Sequence, residues 1–96
     1  MVIGILQLEL SIEHATSLKD KRRVVKSLKD RLHRHHQVSV AEVDQLDDAR
    51  TAVLGVTLAS NEVRHAQSTL DRLLETLHPG KNYVLADHKL EILTGK

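Results

Sequence analysis

From residue 2 to residue 12 small and apolar side chains fall at every second position: Val2, Gly4, Leu6, Leu8, Leu10 and Ile12 share one face. Ile3, Ile5, Gln7, Glu9 and Ser11 share the other, which passes from apolar to polar along its length. A period of two marks a strand with one face in a core. Past the loop Glu13-His14-Ala15-Thr16 the period changes. Leu18, Val25, Leu28 and Leu32 form one stripe at about 100° per residue, predicting a helix to about His35. Ser17 is its expected N-cap, with Asp20 completing a capping-box-like pair. Val38 to Val43 reads as a second strand, 44–48 as a polar hairpin loop, and Ala52 to Leu58 as a third strand, apolar on both faces and so central. Ser60 and Asn61 offer caps for a second helix over 62–77, with the stripe Val63, Ala66, Leu70, Leu73, Leu74 and Leu77. His78-Pro79-Gly80 stops it, and a last strand covers roughly 82–93.

The order βαββαβ predicts an α+β fold: one ferredoxin-like sandwich over residues 1–96, with a four-stranded antiparallel sheet and both helices on one face. The other sheet face then lacks a helix to cover it. Ile3, Ile5, Val53 and Thr57 are placed there, with Leu85 beside them, as an oligomer interface between two copies.

Composition narrows the chemistry. There is no cysteine, which excludes disulfides, zinc–thiolate sites and thiol catalysis. The apolar start is too short for a signal peptide or a membrane span, so the expected location is the cytoplasm, with no membrane partner. Tyr83 is the single aromatic residue. The net charge of +1 conceals an uneven spread. Residues 17–36 hold eight of the fourteen Lys and Arg against Asp20 and Asp30, a net of +6; the remainder carries six against eleven, a net of −5.

On the helical wheel Lys19, Arg22, Lys26 and His33 lie along one flank, Arg23 and Arg34 point outward, and Arg31 lies on the opposite flank. Lys21 and Lys29 sit close to the apolar stripe, where their stems can cover it while the ammonium groups reach water. A solvated face is the plain reading of such a helix. Two features oppose it. Few favourable i,i+4 pairs can form among charges of one sign. Lys19, Lys21, Arg22 and Arg23 also crowd the positive end of the helix dipole, at a cost of about 0.3–1 kcal/mol each at low salt. Ser17, Lys19, Arg22, Arg23, Lys26 and Arg34 are therefore the candidate nucleic-acid-binding residues, with Thr16 as a further hydroxyl donor. RNA or the ribosome is the expected partner, contacted through its backbone. An acidic protein partner, docked by a dimeric interaction protein, is the alternative.

Other constellations are weaker. His33, His35 and His36 diverge around the helix end, and no metal or cofactor is expected there. Glu42, Asp44, Asp47 and Asp48 lack the spacing of a calcium loop and read as a solvated hairpin, or as a contact for the basic helix of another copy. No nucleophile elbow or triad context is present, so no catalytic residue is named and the chain is read as non-enzymatic. A small ligand at the loops remains open.

The residues Ser17-Leu18-Lys19-Asp20-Lys21-Arg22-Arg23, Val38-Ser39-Val40-Ala41-Glu42-Val43, and Leu54-Gly55-Val56 with Ser60-Asn61 resemble the YlxP-like family of small bacterial proteins. The resemblance runs from Val2 to about Leu93. It implies a cytosolic role near RNA or the ribosome, because genes of that family typically neighbour those of translation initiation and ribosome maturation factors. It implies no catalytic residues. The chain departs from the family pattern in aromatic content, at His36-Gln37 before the second strand and in the hairpin near Ala49.

Overall fold

The computed structural model describes residues 1–78 and 80–95. Its elements are β1 (Val2–Ser11), α1 (Leu18–His36), β2 (Ser39–Asp44), β3 (Thr51–Ser60), α2 (Val63–Thr76) and β4 (Val84–Thr94). The βαββαβ order and the four-stranded antiparallel sheet are as expected, with strand order β2-β3-β1-β4. The helix stop expected at Pro79 lies outside the described residues.

Pleating sends Leu6, Leu8 and Leu10 of β1 and Ala52, Leu54 and Val56 of β3 to the helix side, where all are fully buried. Leu28 and Leu32 of α1 and Leu70 and Leu73 of α2 close over them in one cluster. Burying each such leucine contributes about 1.5–3 kcal/mol, which is why this layer needs no cross-link.

Three local expectations change. Val63, assigned to the inward stripe of α2, is 46% exposed. It is the first helical residue, and Glu62 rather than Ser60 or Asn61 holds the cap position, without a side-chain cap bond. The Ser60 hydroxyl instead accepts from the Glu62 N–H at 3.1 Å and so turns the chain into the helix. Leu85 packs against the core, not on the open face. A register shift between Glu9 and Leu10 sets it opposite Leu10 and reverses its side of the sheet.

The open face carries a small cluster of its own. Val53 is 5% exposed yet lies outside the helix-side core. A bulge between Glu42 and Asp44 brings Val43 over the same face, so close to Gly55 that a Cβ there would stand 3.0 Å from the Val43 Cγ1.

Candidate nucleic-acid interface

The first helix is anchored at its entry by a reciprocal cap. Ser17 Oγ accepts from the Asp20 N–H at 3.2 Å, as the sequence predicts. Asp20 in turn accepts from the Thr16 N–H at 3.0 Å and from the Thr16 hydroxyl at 2.7 Å. Those bonds hold the Asp20 carboxyl below its ordinary range, the Thr16 hydroxyl contributing most. The consequence for binding is direct. The protein's own carboxylate sits at the helix entry, and the Thr16 N–H and hydroxyl proton are committed to it.

Along the helix the six named residues divide. Ser17 is a cap, while Lys19, Arg22, Arg23, Lys26 and Arg34 are all exposed. Among the described residues α1 makes two ion pairs. Lys26 reaches Asp30 at 3.1 Å, with both side chains well exposed (80% and 62%). Such an i,i+4 pair contributes about 0.3–0.5 kcal/mol and exchanges readily with solvent or another anion. Lys19, Arg22, Arg23 and Arg34 have no carboxylate within 4.0 Å among the described residues.

Lys21 behaves otherwise than expected. It does not reach water: the residue is 1% exposed. Its Nζ donates to the carbonyls of Gln45 at 2.8 Å and Thr51 at 3.1 Å, with Leu46 O further off at 3.4 Å, and lies 2.8 Å from Glu42 Oε2. Position 21 stands three residues after Leu18 and four before Val25, so helical spacing places it within the stripe, under the β2–β3 hairpin. One of the four cations at the helix entry is thus a structural clamp. Its partner Glu42, read as part of a solvated acidic hairpin, is half-buried.

The helix exit is also built from side chains. His33 Nδ1 donates to Val38 O at 2.8 Å, spanning the turn into β2. Gln37 carries the left-handed backbone that ends the helix, at φ 53°, and its N–H donates to His33 O at 3.1 Å. His36 is held below its ordinary value, first by burial and then by His35, Arg72 and Arg31. Among the described residues no group of three or more His, Asp or Glu is placed to hold a metal ion.

One contact was not legible in the wheel. Arg31, assigned to the far flank of α1, donates to the Tyr83 hydroxyl at 3.0 Å, and that hydroxyl donates to Leu77 O at 3.1 Å. The signal was the lone aromatic residue, which takes a place in the core. Opposite the helix layer, Glu9 of β1 faces Asp87 of β4 on the open sheet, and Ile5 faces Glu91. The open face therefore carries Glu9, Asp87 and Glu91, with Lys89 opposite Gln7 between them. No described helix is long and apolar enough to cross a membrane.

Comparisons with known proteins agree with this architecture. Among solved structures the chain is similar to a de novo designed protein with a ferredoxin fold, determined by solution NMR, at 17% identity and a TM-score of 0.55. That alignment covers 99% of this chain and 88% of the other, and it bears on the fold alone. No curated protein matches. The model of a family described as "Protein of unknown function (DUF503)" matches residues 3–90, and the chain belongs to that family.

Proposed function

We propose that the protein is a non-enzymatic, cytoplasmic RNA- or ribosome-associated binding protein that contacts phosphates with the exposed side of α1. The observation that carries this reading is the lack of carboxylate partners for Lys19, Arg22, Arg23 and Arg34 among the described residues. With Lys26, whose pair with Asp30 is exposed, they line a helix of nineteen residues, about 28 Å long at 1.5 Å per residue. That length matches several successive phosphates of a nucleic-acid backbone. The finer resemblance to the YlxP-like family points the same way.

Recognition is of backbone and shape. Base stacking needs exposed aromatic rings, and the single ring, Tyr83, is buried between the helices and β4. Asp20 sets a negative charge at the helix entry and takes up the Thr16 donors, so binding runs along the flank.

The test is a titration of purified ribosomes and of total RNA at two salt concentrations, with wild type and a Lys19→Glu, Arg22→Glu, Arg23→Glu, Lys26→Glu variant. The reading predicts tight binding that weakens steeply with salt and vanishes in the variant. Weak binding, equal in both proteins, would refute it and leave an acidic protein as the partner to seek.

A second proposal concerns self-association through the open sheet face. Leu93, 47% exposed, stands opposite Ile3 in register, next to the half-buried Ile5 and the exposed Thr57. Val53 adds little area, since it is already covered within the chain. The occupant proposed is a second copy.

A further inference from the structure

We infer that the cleft between α1 and the connection from α2 to β4 binds a phosphate monoester. This site is separate from the outer flank of α1 and shares only Arg23 with it. The cleft has a volume of about 210 Å³, with Arg23, Ser27 and Arg31 on one wall and Lys81, Asn82 and Tyr83 on the other. Three cations, a hydroxyl and an amide line it over a floor that includes Val24 and Leu28, and among the described residues no carboxylate lines the cleft.

Residue spacing accounts for the wall on α1. Positions 23, 27 and 31 follow one another at intervals of four, so they form a single ridge of the helix. Arg31 is oriented from behind. One of its N–H groups donates to the Tyr83 hydroxyl at 3.0 Å, and Tyr83, itself buried, is fixed by its bond to Leu77 O at 3.1 Å. A guanidinium held by a neutral phenol keeps its full charge and its remaining donors for a ligand. The opposite wall is held close by Gly80. A Cβ at that position would lie 2.5 Å from the Tyr83 carbonyl oxygen and 2.7 Å from its ring. The connection can fold back over Tyr83 only with glycine there.

Size and charge define the ligand class. Pockets for whole drug-sized molecules run from about 300 Å³ upward, so a volume of about 210 Å³ takes a small anion or the anionic head of something larger. Three cations with no carboxylate within 4.0 Å among the described residues suit a dianion better than the single charge of a backbone phosphodiester. A phosphate monoester satisfies both conditions, whether it comes from a free mononucleotide or from the 5′ end of an RNA.

The experiment follows backbone amide signals of ¹⁵N-labelled full-length protein at low salt while inorganic phosphate, AMP or adenosine is added. Phosphate and AMP are expected to shift Ser27, Arg31, Lys81 and Tyr83, and adenosine to leave them unmoved. Arg31→Gln is expected to weaken AMP about tenfold or more, the loss of one charge-assisted hydrogen bond. Arg31→Lys keeps the charge but loses the fork, and Tyr83→Phe keeps the ring but frees Arg31; both are expected to bind AMP more weakly than wild type. A short RNA with a 5′-phosphate, compared with its 5′-hydroxyl form, separates the two sources. Preference for the phosphorylated end identifies RNA, and equal binding with AMP still bound identifies a free nucleotide. A cleft unmoved by AMP and phosphate overturns the inference. So do shifts that persist unchanged in folded Arg31→Gln and Lys81→Gln. The Lys19→Glu, Arg22→Glu, Lys26→Glu protein should retain AMP while losing RNA, so the two readings can fail independently.

Discussion

Lys21 Nζ lies 2.8 Å from Glu42 Oε2, joining the first turn of α1 to the middle of β2. The contact is an ion pair rather than a well-aligned hydrogen bond, because Oε2 is buried without a hydrogen-bond partner. The aligned bonds of the ammonium go to the Gln45 and Thr51 carbonyls of the hairpin. The two residues should therefore differ in their contributions to stability. Lys21→Met strands two part-buried carbonyls and a half-buried carboxylate, and should cost about 3–5 kcal/mol. Glu42→Gln leaves the ammonium its carbonyls and should cost about 1–2 kcal/mol. Urea unfolding of both variants checks the order; equal losses would mean that the ion pair, not the carbonyl bonds, holds the hairpin.

Binding to single-stranded RNA has a countable salt dependence. Five neutralised phosphates, one for each of Lys19, Arg22, Arg23, Lys26 and Arg34, predict a log–log slope of about −3.5. Arg34→Gln should reduce its magnitude by about 0.7. Filter binding across a salt series measures both.

Gln37 holds a left-handed conformation at the exit of α1. An L-residue with a Cβ pays about 1–2 kcal/mol there, against a smaller entropic penalty for glycine. Gln37→Gly should stabilise the chain by about 0.5–1 kcal/mol, raising Tm by a few degrees. Scanning calorimetry would register it, and a lowered Tm would show that the Gln37 side chain contributes contacts worth more than the strain.

Acid should weaken the fold in two stages. His36 is depressed in the folded state from 6.5, mainly by burial, so the unfolded chain binds the proton first. Stability is complete above that value and falls as pH drops toward the lower folded-state value. Arg31, His35, Arg72 and Thr76 face this ring from the two helices. Asp20 is depressed from 3.8, and its contribution, present above that pH, is lost as pH falls through its folded value. His36→Gln should flatten the first stage and leave the second, as read by urea midpoints between pH 7.5 and 3.

Self-association through the sheet face should respond to one charge. Ile5 stands opposite Glu91, so Ile5→Glu sets like charges face to face at the centre of the patch. Sedimentation velocity is expected to show a dimer for wild type and a monomer for the variant. A wild-type monomer at high concentration would remove this proposal.

The fold was readable in the sequence because alternation in β1 and the 3.6-residue stripes of both helices report burial directly. The exceptions have separate causes. Leu85 changes faces through a register shift, and Val63 falls in the first turn, where a helix has not yet met its neighbours. Of the candidate interface, the chain itself supplied the excess of cations on α1 and the Ser17 cap, both local properties of one helix. Which cations are free was settled in three dimensions. Lys21 and Lys19 are chemically alike and two residues apart, yet Lys21 is enclosed by a hairpin twenty-four to thirty residues further on, while Lys19 is exposed. Likewise Arg31, Lys81 and Tyr83 meet only because α1 and the connection from α2 to β4 pack together. Local sequence sets periodicity and charge; the company a charge keeps depends on contacts distant along the chain, and only the tertiary structure decides those.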